Sequence, residues 1–248
     1  MILFIMQKPK TRIFVNKTIS SNLIIYVKNK QHHFLKNVMR IKIDDKINVF
    51  DGQSGEWISK VISVNRESTA LRVTENIKKM LSSPDIWLIF SPIRQSRMST
   101  AIQKATEIGV SKIIPCITEY TNIKNINEKN LSQNTVEASE QSLRLDIPSI
   151  EKEIDLKSLL ESWPMDRKLI YCNEKNTDNT SIIETMISIK NTTKKWAVLI
   201  GPEGGFSSAE QDLILKNNNV ISVSLGKTIL RSDTAITVAL FCIKEITS

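Results

Sequence analysis

Beyond Pro84 the chain repeats a pattern that few folds can accommodate: short apolar runs, each the length of one strand, separated by stretches with helical spacing. The runs are 86–90, 112–115, 168–172, 196–200 and 220–225. Helical spacing covers 98–108, which ends at Gly109, then 130–144 and finally 233–246. A strand that is apolar on both sides must be covered on both faces, and strands joined through helices run parallel. Residues 79–248 are therefore expected to form an α/β domain whose parallel sheet lies between two layers of helices.

The stretch before it reads differently. Segments 23–27, 46–50, 56–64 and 70–74 have the length and β-branched content of strands, punctuated by the turn pairs Asp51-Gly52 and Ser54-Gly55. Such spacing predicts hairpins in a small β-barrel. Between the first two strands, Phe34, Leu35, Val38 and Met39 fall on one face of a short amphipathic helix over 31–39. Residues 79–83, followed by Pro84, read as a linker, which divides the chain into domains 1–78 and 79–248.

Charge separates the same two parts. Residues 1–79 hold 15 Lys+Arg against 6 Asp+Glu, whereas residues 80–248 hold 19 against 20, so the whole excess of +8 lies in the first third. A basic module beside a neutral one suits a phosphate-binding platform attached to a catalytic domain. A general bias towards Lys in an Asn- and Ile-rich chain would give part of the same excess. Hydrophobic content of 41% with 24% charged residues argues against disorder. No apolar run reaches the roughly 18 residues of a membrane span. The apolar start Met1–Met6 lacks the basic region of a secretory signal, so a cytoplasmic protein is expected. Cys116, Cys172 and Cys242 are far apart, each in an apolar stretch, and read as free buried thiols rather than as a metal site.

Of only seven glycines, four fall within 201–226. Gly201-Pro202-Glu203-Gly204-Gly205-Phe206 follows directly on the apolar run 196–200, and Ser207 with Glu210 then forms a capping box that opens a helix. A strand, a Gly-rich turn and a capped helix place backbone N–H groups at the carboxyl end of a parallel strand, where open α/β sheets bind ligands. A second loop, 225–234, follows the next strand, which is expected to lie beside the first, and Ser232 or Asp233 can cap the last helix. Gly226-Lys227-Thr228 looks like the end of a P-loop, but that pattern requires glycine at position 221, which is Ile221. The spacing G-x-G-x-x-G occurs nowhere. Two loops rich in backbone donors and acceptors suit an adenosine-containing ligand, and Arg231, the cation of the second loop beside Lys227, points to an anion. An ion pair with Asp233 or a helix cap is the bland alternative for Arg231. His32 and His33 have no Cys or carboxylate cluster near them in sequence, and a place on a nucleic-acid-binding surface fits them better than a metal.

Taken in order, these motifs resemble one family. His32-His33-Phe34-Leu35, Val38-Met39-Arg40 and Phe50-Asp51-Gly52 match in the first part; Ile102 to Val110, including Lys104, with Pro115, Glu119, Glu140-Gln141-Ser142 and Arg144 match further on. The strongest stretches are Ile200 to Ser207 with Glu210, and Leu225-Gly226 with Ile229-Leu230-Arg231 through Thr234-Ala235. The chain thereby resembles the RsmE-type 16S ribosomal RNA (uracil-N3)-methyltransferases of the SPOUT superfamily.

That resemblance implies a PUA-like barrel for RNA, an α/β domain with a trefoil knot, a homodimer, and S-adenosyl-L-methionine held in the knot loops. The cofactor set it implies is Tyr171, Leu199, Ile200, Gly201, Pro202, Glu203, Gly204, Gly205, Leu225, Gly226, Ile229, Leu230, Arg231 and Thr234. Arg231 is expected to hold the uracil or its phosphate, with Glu203 and Asp233 as candidate proton acceptors. RNA contacts are expected from His32, His33, Arg40, Arg94, Arg97, Lys104 and Arg144, and the partner from 16S rRNA in the small ribosomal subunit. Three positions depart from the family pattern: Ser99 follows Arg97-Met98, the Glu-Arg-Ser-like turn is Glu119-Tyr120-Thr121, and the Arg-Thr-Glu triplet is Arg231-Ser232-Asp233. The alternatives are the same chemistry on another RNA, or a non-catalytic RNA-binding assembly factor with this fold.

Overall fold

The computed structural model describes residues 9–123, 126–173 and 180–247. The chain divides into two units, Met1–Ser82 with Ser139–Asp146, and Ser83–Ala138 with Ile147–Ser248.

The first unit contains β1 (Arg12–Phe14), β2 (Ile24–Lys28), α1 (Asn29–His33), β3 (Lys46–Phe50), β4 (Glu56–Val64) and β5 (Ser68–Lys78). They form one five-stranded sheet in the order β1-β3-β4-β5-β2. Strands β3, β4 and β5 make the antiparallel hairpins that the turn pairs predict, while β1 runs parallel to β3. A three-residue strand is too short to show alternation, so β1 is not legible in the sequence. Alternate residues point inward to a core that includes Leu35, Ile47, Val49, Val61, Leu71 and Val73. Gly55 closes the first hairpin at φ +91°, and a Cβ there would come within 2.1 Å of the Lys78 carbonyl oxygen, so glycine is required.

Asp51 organises the same turn. Its carboxylate accepts from the backbone N–H groups of Ile19, Gln53 and Ser54 and from the Ser54 hydroxyl. Burial alone would raise its pKa, but the hydrogen bonds from Ser54, Ile19 and Gln53 together hold it below the usual carboxylate range. A depressed folded value stabilises the fold above the unfolded pKa of about 3.9, and that contribution fades as pH falls through the lower folded value. The stability gap between wild type and Asp51→Asn, measured by urea unfolding, is therefore expected to be wide at pH 7 and to narrow below about pH 4. An unchanged gap would remove Asp51 from the acid response.

The helix expected over 31–39 is split. After α1, residues Phe34–Val38 make a π-helical turn in which Met39 N–H donates to the Phe34 carbonyl at 2.9 Å. His32 is buried, with Nε2 3.2 Å from the Arg66 carbonyl and Nδ1 2.9 Å from the Thr69 hydroxyl. A carbonyl can only accept, so Nε2 donates, and in the neutral ring Nδ1 then accepts from the Thr69 hydroxyl. This corrects the expected surface role of His32: the ring is drawn inward to tie α1 to the β4–β5 turn.

Segment 139–146, which the sequence division leaves in the second domain, lies with the first unit. The buried Arg12 explains why. Its guanidinium donates to Glu56 and to the carbonyls of Ser139 and Arg144, and it lies 3.6 Å from the centre of the Phe50 ring. Glu140 in turn accepts from Phe14 N–H at 2.8 Å. A single arginine in a three-residue strand gives no sequence signal for such long-range partners.

The second unit carries β6 (Ile86–Phe90), α2 (Gln95–Ile108), β7 (Lys112–Ile117), most of α3 (Glu128–Gln141), β8 (Ser149–Ile150), β9 (Ile154–Asp155), α4 (Leu156–Glu161), β10 (Lys168–Cys172), α5 (Ile182–Ile189), β11 (Trp196–Ile200), α6 (Ser208–Leu215), β12 (Val220–Val223) and α7 (Ser232–Thr247). The sheet order is β12-β10-β11-β6-β7-β8, with β9 also pairing β7, and the pairs are parallel. Its strands are apolar on both sides because both faces are covered. Leu88, Phe90, Ile170, Trp196 and Val198 join one core with α2, α5 and α7; Ile89, Leu169, Ala197 and Leu199 join the other with α4 and α6.

One expectation is corrected by this order. Strands β11 and β12 are not neighbours, because β10 pairs with both. The two ligand-loop candidates are thus separated by the width of one strand, and the end of β10 comes between them.

All three cysteines are free; Cys116 is buried, and Cys172 and Cys242 are half-buried. Burial, with smaller contributions from Glu210 and Asp155, pushes the Cys116 thiol up to about 12. Among the described residues no helix is long and apolar enough to cross a membrane.

Candidate functional site

At the carboxyl ends of β10, β11 and β12 a cleft opens to solvent, lined by three loops. Each wall comes from one loop. Tyr171, Cys172 and Asn173 end β10; Ile200, Gly201, Pro202, Gly205 and Phe206 follow β11; Ser224 to Leu230 follow β12. Ser232 and Ala235 close it from α7.

The Gly-rich loop turns tightly: Gly205 N–H donates to the Pro202 carbonyl at 2.9 Å, with Gly205 at φ +68°. Gly201 meets the Phe206 ring so closely that a Cβ would lie 2.7 Å from Phe206 Cε2. That ring stands edge-on to buried Tyr171, centroids 5.4 Å apart. Ser207 then starts α6 with the capping box expected from the sequence, its hydroxyl accepting from Glu210 N–H while the Glu210 carboxylate accepts from Ser207 N–H. The second loop has Gly226 at φ +122°, and residues 225–231 lie in neither helix nor strand, so their peptide groups are not tied up in a ladder.

The start of α7 differs from expectation. Ser232 does not cap the helix; its hydroxyl donates to the Gly201 carbonyl at 3.2 Å and joins the two loops. Asp233 does not cap it either: Oδ1 is buried and without a hydrogen-bond partner among the described residues. Arg231 is exposed, and among the described residues its side chain enters no ion pair, so the suggested pair with Asp233 is absent there.

Of the residues expected to hold a cofactor, Tyr171, Ile200, Gly201, Pro202, Gly205, Leu225, Gly226, Ile229 and Leu230 line the cleft. Leu199 does not: strand alternation turns it into the core on the other face, fully buried. Glu203, Gly204, Arg231 and Thr234 are exposed and lie outside the lining. Glu203 lies 3.5 Å from Arg97, an ion pair that links α2 to this turn. Asn173, directly after Cys172, and Ser224, directly before Leu225, also line the cleft, although neither is among the residues expected to hold the cofactor.

The expected RNA contacts are dispersed. His33 and Arg40 are exposed on the first unit, Arg40 at φ +50°, whereas Arg144 is nearly buried and paired with Asp146 at 2.9 Å. On the second unit Arg94 is exposed and Lys104 is paired with Glu107 on the same helix. Burial and pairing leave Arg144 little to offer an RNA, which corrects that expectation. Among the described residues no three His, Cys, Asp or Glu side chains gather to hold a metal.

A family model described as an RNA methyltransferase domain matches residues 81–244, and an RNA methyltransferase PUA domain matches residues 27–73. The first alone spans well over half of the chain. The chain belongs to the RNA methyltransferase family. This methyltransferase is 33% identical over 225 residues to a ribosomal RNA small subunit methyltransferase E of Rickettsia conorii, covering 90% of this chain and 91% of that one. It is 26% identical over 246 residues to the protein of the same name from Buchnera aphidicola subsp. Schizaphis graminum, covering 95% and 96%. Among solved structures, a ribosomal RNA small subunit methyltransferase E from Neisseria gonorrhoeae bound to S-adenosyl methionine superposes with a TM-score of 0.84 at 23% identity, over 95% of this chain and 97% of that one. The cleft therefore belongs to a methyltransferase fold.

Proposed function

We propose that this chain transfers a methyl group from S-adenosyl-L-methionine to N3 of a specific uridine in the 16S rRNA of the small ribosomal subunit. The observation that carries the reading is the three-walled cleft at the ends of β10, β11 and β12, in a chain one-third identical to a small-subunit rRNA methyltransferase. The cleft fits the cofactor. Ile200, Leu225, Leu230 and Ala235 give apolar walls for a flat base, and irregular backbone at 225–231 gives donors and acceptors at its edge. The Neisseria relative was solved with the same cofactor. The trefoil threading of the superfamily is part of this proposal, supported by the placement of β10 between β11 and β12.

When bound, the cofactor supplies an electrophilic methyl group on a sulfonium. This chain's residues must orient the uracil, favour its anion and take the N3 proton. Arg231, exposed beside the cleft and free of an ion pair among the described residues, is assigned to the uracil or its phosphate. Asp233 is the better proton acceptor than Glu203: one of its carboxylate oxygens has no partner among the described residues, whereas Glu203 faces Arg97. N3 lies on the pairing edge, so the uridine must be unpaired or drawn out of a helix. The basic first unit, with His33 and Arg40 exposed, is assigned to RNA phosphates.

The test incubates small subunits lacking the modification with labelled cofactor and maps the product by reverse transcription, which stops at N3-methyluridine. Label without a stop in 16S rRNA points to another RNA; cofactor binding absent in calorimetry points to the non-catalytic assembly factor. The working form is proposed to be a homodimer in the cytoplasm. Ile183, Ile187 and Phe241, on α5 and α7, each expose about half of their surface and are assigned to the dimer face. Sedimentation at micromolar concentration is expected to give twice the chain mass of 28.2 kDa, and a monomer there would refute the dimer.

A further inference from the structure

Gly204, a residue of the Gly-rich turn outside the cleft lining, lies against an exposed aromatic ring that the proposed chemistry does not yet use. Tyr120 is 43% exposed, although it sits against backbone: a Cβ on Gly204 would meet the Tyr120 Cβ at 3.3 Å and its ring at 3.6 Å. The turn bearing it is held from both ends. Glu119 N–H donates to the Glu210 carboxylate at 2.8 Å, the same carboxylate that completes the cap of α6. Thr118 N–H donates to the Thr121 hydroxyl at 2.8 Å, and Thr121 N–H donates to the Thr118 carbonyl at 3.0 Å. Thr118 and Thr121 are both buried, so the turn is pinned on either side of the ring while the ring faces water.

Next to Gly204 in the same turn, Glu203 is 3.5 Å from Arg97, and Arg94 stands exposed one turn earlier on the same chain stretch. A rigidly mounted aromatic face on a turn whose Glu203 holds Arg97 has the elements of a single-stranded nucleic-acid subsite: a stacking surface for a base and a cation in the same neighbourhood for a flanking phosphate. Here Gly204 leaves just enough room for Tyr120 to lie over the turn without being buried by it.

Resting on the proposed RNA methylation, we infer that Tyr120 is a positioning residue that stacks an unpaired base of the substrate RNA beside the Gly-rich turn. The occupant is an unpaired nucleobase flanking the target uridine, not the uridine itself, with Arg94 and Arg97 assigned to the phosphates beside it. Nothing in this role requires the phenol hydroxyl, so the ring alone carries it.

The test compares wild type, Tyr120→Phe and Tyr120→Ala on unmodified small subunits. Tyr120→Phe is expected to keep kcat/KM within about twofold, and Tyr120→Ala to lose roughly 10- to 100-fold, the range for removal of one base–aromatic stack. The loss should appear in kcat/KM for RNA, while the S-adenosyl-L-methionine Kd and the Tm stay at wild-type values. A second readout does not depend on turnover: RNA carrying 5-iodouracil in place of uracil should photo-crosslink to Tyr120. Normal kcat/KM in Tyr120→Ala, with methylation by wild type intact, overturns the stacking role and leaves the function standing. Loss of cofactor affinity or Tm alongside activity assigns Tyr120 to supporting the turn and also overturns it. Failure of wild type to methylate or bind any RNA removes both readings together.

Discussion

Gly201→Ala is expected to weaken S-adenosyl-L-methionine binding by roughly 10- to 100-fold while leaving a folded protein. The added methyl would lie 2.7 Å from Phe206 Cε2, with two further ring atoms at 3.1 and 3.2 Å. Phe206 cannot simply swing aside, because it is buried and packed edge-on to buried Tyr171, which also lines the cleft. Relief must come from shifting the Gly-rich turn or the ring, and both are cleft walls. Overpacking of this kind costs about 1–3 kcal/mol, and each 1.4 kcal/mol taken from binding is about tenfold in Kd. The strain is local, since the Ser207 cap and the β11 ladder lie to either side of it. Isothermal titration with the cofactor reads the effect, and Tm serves as the control. An unchanged Kd would mean that the cofactor does not lean on this turn.

The second large effect is expected at Arg231. Arg231→Ala should lower kcat on the order of 100-fold at saturating RNA, the scale for removal of one preorganised group that stabilises developing negative charge. Cofactor affinity should hardly move, because the side chain is exposed and outside the lining of the cleft. Arg231→Lys should recover part of the rate, since it restores charge without the planar fork. Near-normal turnover in Arg231→Ala would remove the assigned role. Its backbone would still be needed, as its carbonyl accepts from Ala235 N–H at 2.8 Å in the first turn of α7.

Much of the architecture was legible because strand and helix signals here are local and strong. The runs at 46–50, 56–64, 86–90, 168–172 and 196–200 coincide with strands, and the capping box at Ser207 and Glu210 is present as read. Local signals also failed in understandable ways. Leu199 belongs to the cofactor motif by position, yet strand alternation turns it into the core. His32 looked like a surface group, but a partner 37 residues away, Thr69, holds it inside. Arg144 shares a motif with its neighbours and is nevertheless half of a nearly buried pair with Asp146. For His32 the group that decides the side chain's role is distant in sequence, for Leu199 it is the face of the sheet on which the cleft opens, and for Arg144 it is the burial of its side chain.

The sequence by itself determined the two-part organisation, the parallel α/β character, the glycine-bearing turns at 201–206 and 225–231, and a family whose chemistry is RNA methylation. Periodicity and turn chemistry act within a few residues, and the family rests on the order of such short motifs along the chain. Only the tertiary structure decided that β10 lies between β11 and β12, so that its end separates the two loops while lining the cleft with both. It also decided that Ser232 ties the loops together and that Tyr120 rides on Gly204. Strand order is set by how whole faces bury against helices, a sum over contacts far apart in the chain. No window of sequence contains that sum.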